Sequence, residues 1–135
     1  MKTVFVDANV FLRFFTVDNR GQHDRAVRLF RDAAAGRIVL LCGPPVLFEI
    51  AWTLRSAYRQ SAEKVLDVLG AIVAMPNLRL LDREIAEEAL ALARSSRQDF
   101  ADAYVAASAQ AAGADEIATF NRKHFERMGT RLASL

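Results

Sequence analysis

The sequence predicts an α/β fold: a mainly parallel sheet of four to five strands with helices on both faces. Three observations carry that reading. Short, continuously apolar runs such as Thr3–Val6 and Ile38–Cys42 suit parallel strands buried on both faces. Longer runs with apolar residues at helical spacing lie between them. Turn and stop residues, Gly36, Pro44-Pro45, Pro76-Asn77, Gly113 and Gly129, separate the runs. Strand and helix in alternation is the pattern of a parallel sheet joined by helical crossovers.

The elements follow in order. Thr3–Val6 is the first strand, ended by Asp7, and Val10–Phe15 is a short apolar helical segment. Val17–Gly21 reads as a loop. Asp24–Ala35 is an amphipathic helix, with Ala26, Val27, Leu29, Phe30, Ala33 and Ala34 inward and Gly36 as its stop. Ile38–Cys42 is the second strand. The turn Gly43-Pro44-Pro45 opens a helix to about Tyr58, with Leu47, Ile50, Ala51, Leu54 and Tyr58 on its core stripe. Ser61 caps the next helix, which Pro76-Asn77 ends. Leu78–Leu81 is a third strand, and Asp82 is placed to cap a helix over Arg83–Arg94. A helix over Phe100–Ala112 stops at Gly113. Glu116–Thr119 is a fourth strand, Asn121–Met128 a short helix, and Arg131–Leu135 a fifth, edge strand.

With 135 residues and no linker, repeat or low-complexity segment, residues 1–135 read as one domain. No apolar run reaches the roughly 18 residues of a membrane span. Met1-Lys2-Thr3 leads straight into a strand without a secretion-signal pattern. The single cysteine, Cys42, excludes an intrachain disulfide and a cysteine-cluster metal site, so a reducing cytoplasm is the expected setting. All but three of the 18 basic residues are Arg, the side chain suited to bidentate phosphate contact. Arg13, Arg20, Arg97 and Arg122 lie near the expected site in sequence terms. Phe11, Phe14 and Phe15 belong to the core or to a surface covered by a partner helix.

The acids give the chain its chemistry. In an open parallel sheet, sites form beyond the carboxyl ends of the strands. Asp7 follows strand one. Glu49 lies about one turn into the helix after strand two, with no other charge from Gly43 to Thr53. Asp99 and Asp102 are one helical turn apart at i and i+3. Each has a plain structural alternative. Asp7 can cap a helix over Asn9 and Val10, Glu49 can pair with an Arg such as Arg55, and Asp99 can be an N-cap. Taken together, four carboxylates at strand ends and in early helix turns would raise each other's pKa unless a cation neutralised them. An all-oxygen set favours hard Mg²⁺ or Mn²⁺ over zinc. Such sites suit phosphodiester hydrolysis. No Ser-His-Asp arrangement, phosphate-binding glycine loop or dinucleotide fingerprint competes, and Asp7-Ala8-Asn9 lacks the second Asp of a DxD phosphatase.

The ordered set Val4-Phe5-Val6-Asp7-Ala8-Asn9-Val10, Glu49, Asp99-Phe100-Ala101-Asp102-Ala103 and Thr119-Phe120-Asn121 resembles the PIN domain over nearly the whole chain. In length it is similar to the VapC toxins of VapBC toxin–antitoxin pairs. The resemblance implies a three-layer α/β/α fold and a metal-dependent endoribonuclease selective for single-stranded RNA. It also implies a homodimer inhibited by a VapB-type antitoxin. By position it makes Asp7 and Asp102 the principal ligands of Mg²⁺ (or Mn²⁺), Glu49 the third acid and Asp99 the extra acid of a DxxD motif. The family often carries another Asp at the place of Asn121 or three residues later, where this chain has His124. Asn121 can hold a water or metal through its amide oxygen, or cap the last helix. His23 and His124 read as surface residues.

The leading expectation is a Mg²⁺- or Mn²⁺-dependent endoribonuclease acting as a toxin. The alternative is a non-catalytic PIN-like module that binds RNA or protein. A phosphoacceptor receiver domain ranks third, because its acidic pair after strand one is absent.

Overall fold

The computed structural model describes all 135 residues, and the chain divides into two compact units, Met1–Arg83 and Glu84–Leu135. No helix is long and apolar enough to cross a membrane.

The first unit holds β1 (Thr3–Phe5), α1 (Ala8–Phe15), α2 (Arg20–Ala34), β2 (Val39–Cys42), α3 (Pro44–Ser56), α4 (Ala62–Val73) and β3 (Leu78–Leu80). The three strands form one parallel sheet in the order β1-β2-β3, with Val4 opposite Leu40 and Leu40 opposite Leu78. The order advances in one direction, so right-handed crossovers place α1 to α4 on one face. The packing of α1 on α2 and α3, and of α3 on α4, agrees with that. Beneath these helices Val6, Leu40, Cys42, Leu78 and Leu80 are buried. Side chains alternate along a strand, so Phe5 and Leu81 point to the other face, where they are 57% and 63% exposed.

Local chemistry explains the boundaries. Ser61 caps α4 by accepting from the Lys64 N–H (3.1 Å), as its sequence predicts. α2 begins earlier than expected, because the Asn19 side chain takes the Gln22 N–H (3.0 Å) and turns the expected loop into a first turn. Gly36 follows α2 at φ +79°, a left-handed conformation that costs a residue with a Cβ about 1–2 kcal/mol. Asp82 also sits at φ 56°, which is not the extended backbone of an N-cap, so the expected cap on the following helix is not of that kind.

Of the aromatic residues of α1, Phe11 belongs to the core, while Phe14 and Phe15 are half-buried. Phe11 is fully buried with its ring 5.3 Å from that of Phe30, and Phe14 meets Phe30 edge-on at 4.7 Å. His23, expected at the surface, is half-buried against Phe14, with Nδ1 2.9 Å from the Arg13 carbonyl. Cys42 is fully buried at the end of β2, and burial pushes its thiol up to about 11. Native protein is therefore expected to resist alkylation at neutral pH and to label only after denaturation, as a timed iodoacetamide reaction followed by mass spectrometry will show.

A polar clamp ties the far end of α1 to the end of α3. Tyr58 donates to Asp18 Oδ2 (2.7 Å), and Arg13 Nη1 donates to the Tyr58 hydroxyl (3.0 Å). Arg13 also pairs with Asp18 (3.3 Å) and donates through Nε to Gln22 (2.7 Å). The Tyr58 hydroxyl, with Thr16 and Arg13, holds the Asp18 carboxyl below its ordinary value of 3.8. A carboxyl depressed by folding stabilises the native state above its unfolded pKa, and that stability is lost as pH falls through the folded value. Tyr58→Phe should thus lower the melting temperature at neutral pH. The gap from wild type should narrow as the pH drops below 3.8.

The second unit holds α5 (Arg83–Ser96) apart from its first residue, α6 (Phe100–Ala111) and α7 (Arg122–Arg127). Gly113 (φ +75°) ends α6 in the left-handed conformation. The two strands expected here reduce to a single parallel bridge, Ile117 to Leu132, made by Ile117 N–H to Arg131 O and Ala133 N–H to Ile117 O, each 2.9 Å. Both segments are short and largely exposed around that pair, so neither has a buried face to extend the ladder.

Candidate active site

The candidate functional residues are four carboxylates, an amide and an imidazole, divided between the two units. Asp7 lies between β1 and α1 as the N-cap of α1 (φ −83°, ψ 162°). Its Oδ1 accepts the Ala8 N–H at 2.8 Å, so the capping role is real, although the donor is Ala8 and not Asn9 or Val10. The residue is exposed, and its second oxygen, Oδ2, is left for another contact.

Glu49 stands on α3, whose buried stripe is Val46, Leu47, Ile50 and Leu54. That spacing turns Glu49 outward, and it is exposed. The apolar sequence around it had suggested a carboxylate in need of a partner through burial. The helix instead solves the problem by orientation, and Arg55 spends a donor on the Gln60 carbonyl (2.9 Å). Trp52, three residues on from Glu49 and so on the same side of α3, is 71% exposed.

Asp99 and Asp102 open α6. Asp99 has the backbone of an N-cap (φ −63°, ψ 147°), yet its side chain makes no capping hydrogen bond. Asp102 lies in the first turn of α6, half-buried, between the buried residues Phe100, Ala103 and Tyr104 in sequence. The carboxylate that caps its helix is therefore Asp7, and Asp99, whose sequence position suggested a cap, leaves its carboxylate to other partners.

Two further residues belong to this unit. Asn121 precedes α7 without a side-chain cap, and its backbone N–H donates to Thr119 Oγ1 (3.0 Å). The expected side-chain cap is absent because its φ/ψ of −88° and 56° is not the extended conformation that aims a cap at the next turn. His124, read from sequence as a surface residue, is half-buried and meets Asp102: Nδ1 is 3.0 Å from Oδ2. Spacing alone had no means of showing this, because the partners are 22 residues apart and on different helices. The one signal was that His124 stands where the family pattern often has an acid.

Among the arginines, Arg13 is committed to the α1–α3 clamp, and Arg122 donates to the Ala133 carbonyl (3.1 Å). Arg20 and Arg97 are exposed.

Within neither unit do three or more His, Cys, Asp or Glu side chains gather closely enough to hold a metal ion. The first unit holds Asp7 and Glu49, and the second Asp99, Asp102 and His124. In chemistry the donors suit a hard divalent cation: exposed or half-exposed carboxylate oxygens, with no thiolate among them.

The sequence matches the PIN domain family over residues 4–130, and the chain belongs to that family. PIN domains have a nuclease-type fold and commonly depend on divalent metal ions. No curated protein matches this chain.

Proposed function

We propose that this PIN domain is a Mg²⁺- or Mn²⁺-dependent endoribonuclease, the VapC-like toxin of a toxin–antitoxin pair. The observation that carries the reading is the Asp99–Asp102 pair at the start of α6. Asp99 is free of any capping bond, and Asp102 is held by a side chain from another helix while its Oδ1 remains open. A pair that only favoured the helix dipole would need neither feature. Asp7, Glu49, Asp99 and Asp102 serve as metal ligands, and Asn121 holds a water through its amide oxygen. When bound, the divalent ion acidifies a water and offsets charge on the phosphoryl oxygens. The protein's part is to hold that ion and to orient the water by a carboxylate for in-line attack on the phosphodiester. The family match spans both compact units, which supports residues 1–135 as one PIN domain. RNA as substrate, a VapB-type antitoxin, a homodimer and a cytoplasmic setting complete the proposal.

Incubation of the purified chain with structured RNA, with Mg²⁺, with Mn²⁺ and with EDTA, tests it. Cleavage within unpaired segments that needs the metal is expected, and cleavage that persists in EDTA would refute the mechanism. Linkage supplies a second measure. A ligand that binds only the native state at about 100 times its dissociation constant adds about 2.7 kcal/mol, so millimolar Mg²⁺ or Mn²⁺ should raise the melting temperature.

A second reading has one observation in its favour: Asn121 and His124 stand where PIN domains often carry an acid, so the donor set is one carboxylate short. A non-catalytic RNA- or protein-binding module would bind RNA without metal and leave it intact.

A further inference from the structure

We infer that His124 is a positioning residue for Asp102, holding one carboxylate oxygen through Nδ1 so that the other is presented to a divalent cation. This inference rests on reading Asp102 as a metal ligand. The contact is specific in its atoms: Nδ1 lies 3.0 Å from Oδ2, and the pair joins α7 to α6. A carboxylate oxygen only accepts, so Nδ1 carries the hydrogen and donates. That hydrogen bond removes Oδ2 from competition and limits rotation about the Asp102 side chain. Oδ1 is left as the coordinating atom, in a carboxylate whose side chain is 24% exposed.

The arrangement differs from that of an acid at the same place. An aspartate at position 124 would add charge to the set and a possible ligand. An imidazole adds a directed donor instead and brings no further negative charge. His124 also stays 46% exposed, so its retention against Asp102 is not forced by burial. Partners of ligating carboxylates of this kind orient the ligand, and their loss weakens metal affinity on the order of 10- to 100-fold.

Three substitutions separate the atoms involved. The amide nitrogen of Asn sits near the place of Nδ1, and that of Gln near the place of Nε2. Mn²⁺ binding to the intact chain, measured by titration calorimetry without RNA, is the readout, and the metal-free melting temperature is the folding control. His124→Ala and His124→Gln are expected to weaken Mn²⁺ on the order of 10-fold or more, and His124→Asn to stay close to wild type. Wild-type affinity in all three variants would overturn the inference. Retention by Gln with loss by Asn would also overturn it, since the imidazole would then act through Nε2. A wild-type chain that binds no Mn²⁺ would refute the metal-site reading itself, and this inference with it.

Discussion

Asp102→Asn should lower the rate of metal-dependent RNA cleavage by a factor on the order of 10²–10⁴, and Asp7→Asn should do the same. A bound divalent ion supplies several kcal/mol of transition-state stabilisation, and each 1.36 kcal/mol lost is about tenfold in rate. Both substitutions keep the side-chain size and remove one negative charge. At Asp7 the amide oxygen of Asn can still accept the Ala8 N–H that now lies 2.8 Å from Oδ1, and Asn is as good an N-cap as Asp. The start of α1 is therefore preserved, and an inactive variant with an unchanged melting temperature reports on chemistry and not on folding. At Asp102 the Asn oxygen can still take the His124 donor, so the contact between α6 and α7 survives too. Single-turnover cleavage of a fluorescent RNA in Mg²⁺ measures the effect. Activity within a few-fold of wild type in both variants would refute the carboxylate mechanism.

Phe11→Ala should destabilise the protein by about 3–5 kcal/mol, the range for removing a buried aromatic side chain from a core that cannot fully close around the space. Phe11 is completely buried in α1 and packs its ring at 5.3 Å from Phe30 of α2. Its loss leaves a void where α1 meets α2, and the same helix meets α3 on another side. A small domain has only about 5–15 kcal/mol in total, so the variant should unfold at far lower urea and at a much reduced temperature. Phe15→Ala, at a half-buried position near the end of the same helix, should cost less. Urea midpoints for the two variants provide the comparison. A loss below about 1 kcal/mol for Phe11→Ala would contradict its place in the core.

The elements whose chemistry is local were legible in the sequence. Ser61 caps α4 and Gly36, Gly113 and Gly129 take positive φ because each of these depends only on the residue and its immediate chain neighbours. The order of strands and helices in the first unit, and its parallel sheet, follow from alternating apolar runs. The acids could be singled out for the same reason: strand ends and early helix turns are places read along the chain.

Orientation and pairing were not legible. Glu49 sits in an apolar stretch, yet it faces outward, because burial depends on which side of α3 meets α4 and α1. The fourth and fifth strands were expected from their residues, but a strand needs a neighbour, and here the two segments meet only at Ile117 and Leu132. Tyr58 and Asp18 are 40 residues apart, and His124 and Asp102 are 22 apart. By itself the sequence determined the repertoire: an α/β chain of the PIN type with carboxylates in a set order. Only the tertiary structure decided which of those groups is already engaged, with Asp7 capping α1, Asp99 uncapped and Asp102 held by His124. The physical reason is range. Hydrophobic periodicity and capping act over a few residues, whereas a hydrogen bond between helices exists only once packing has set their distance and rotation.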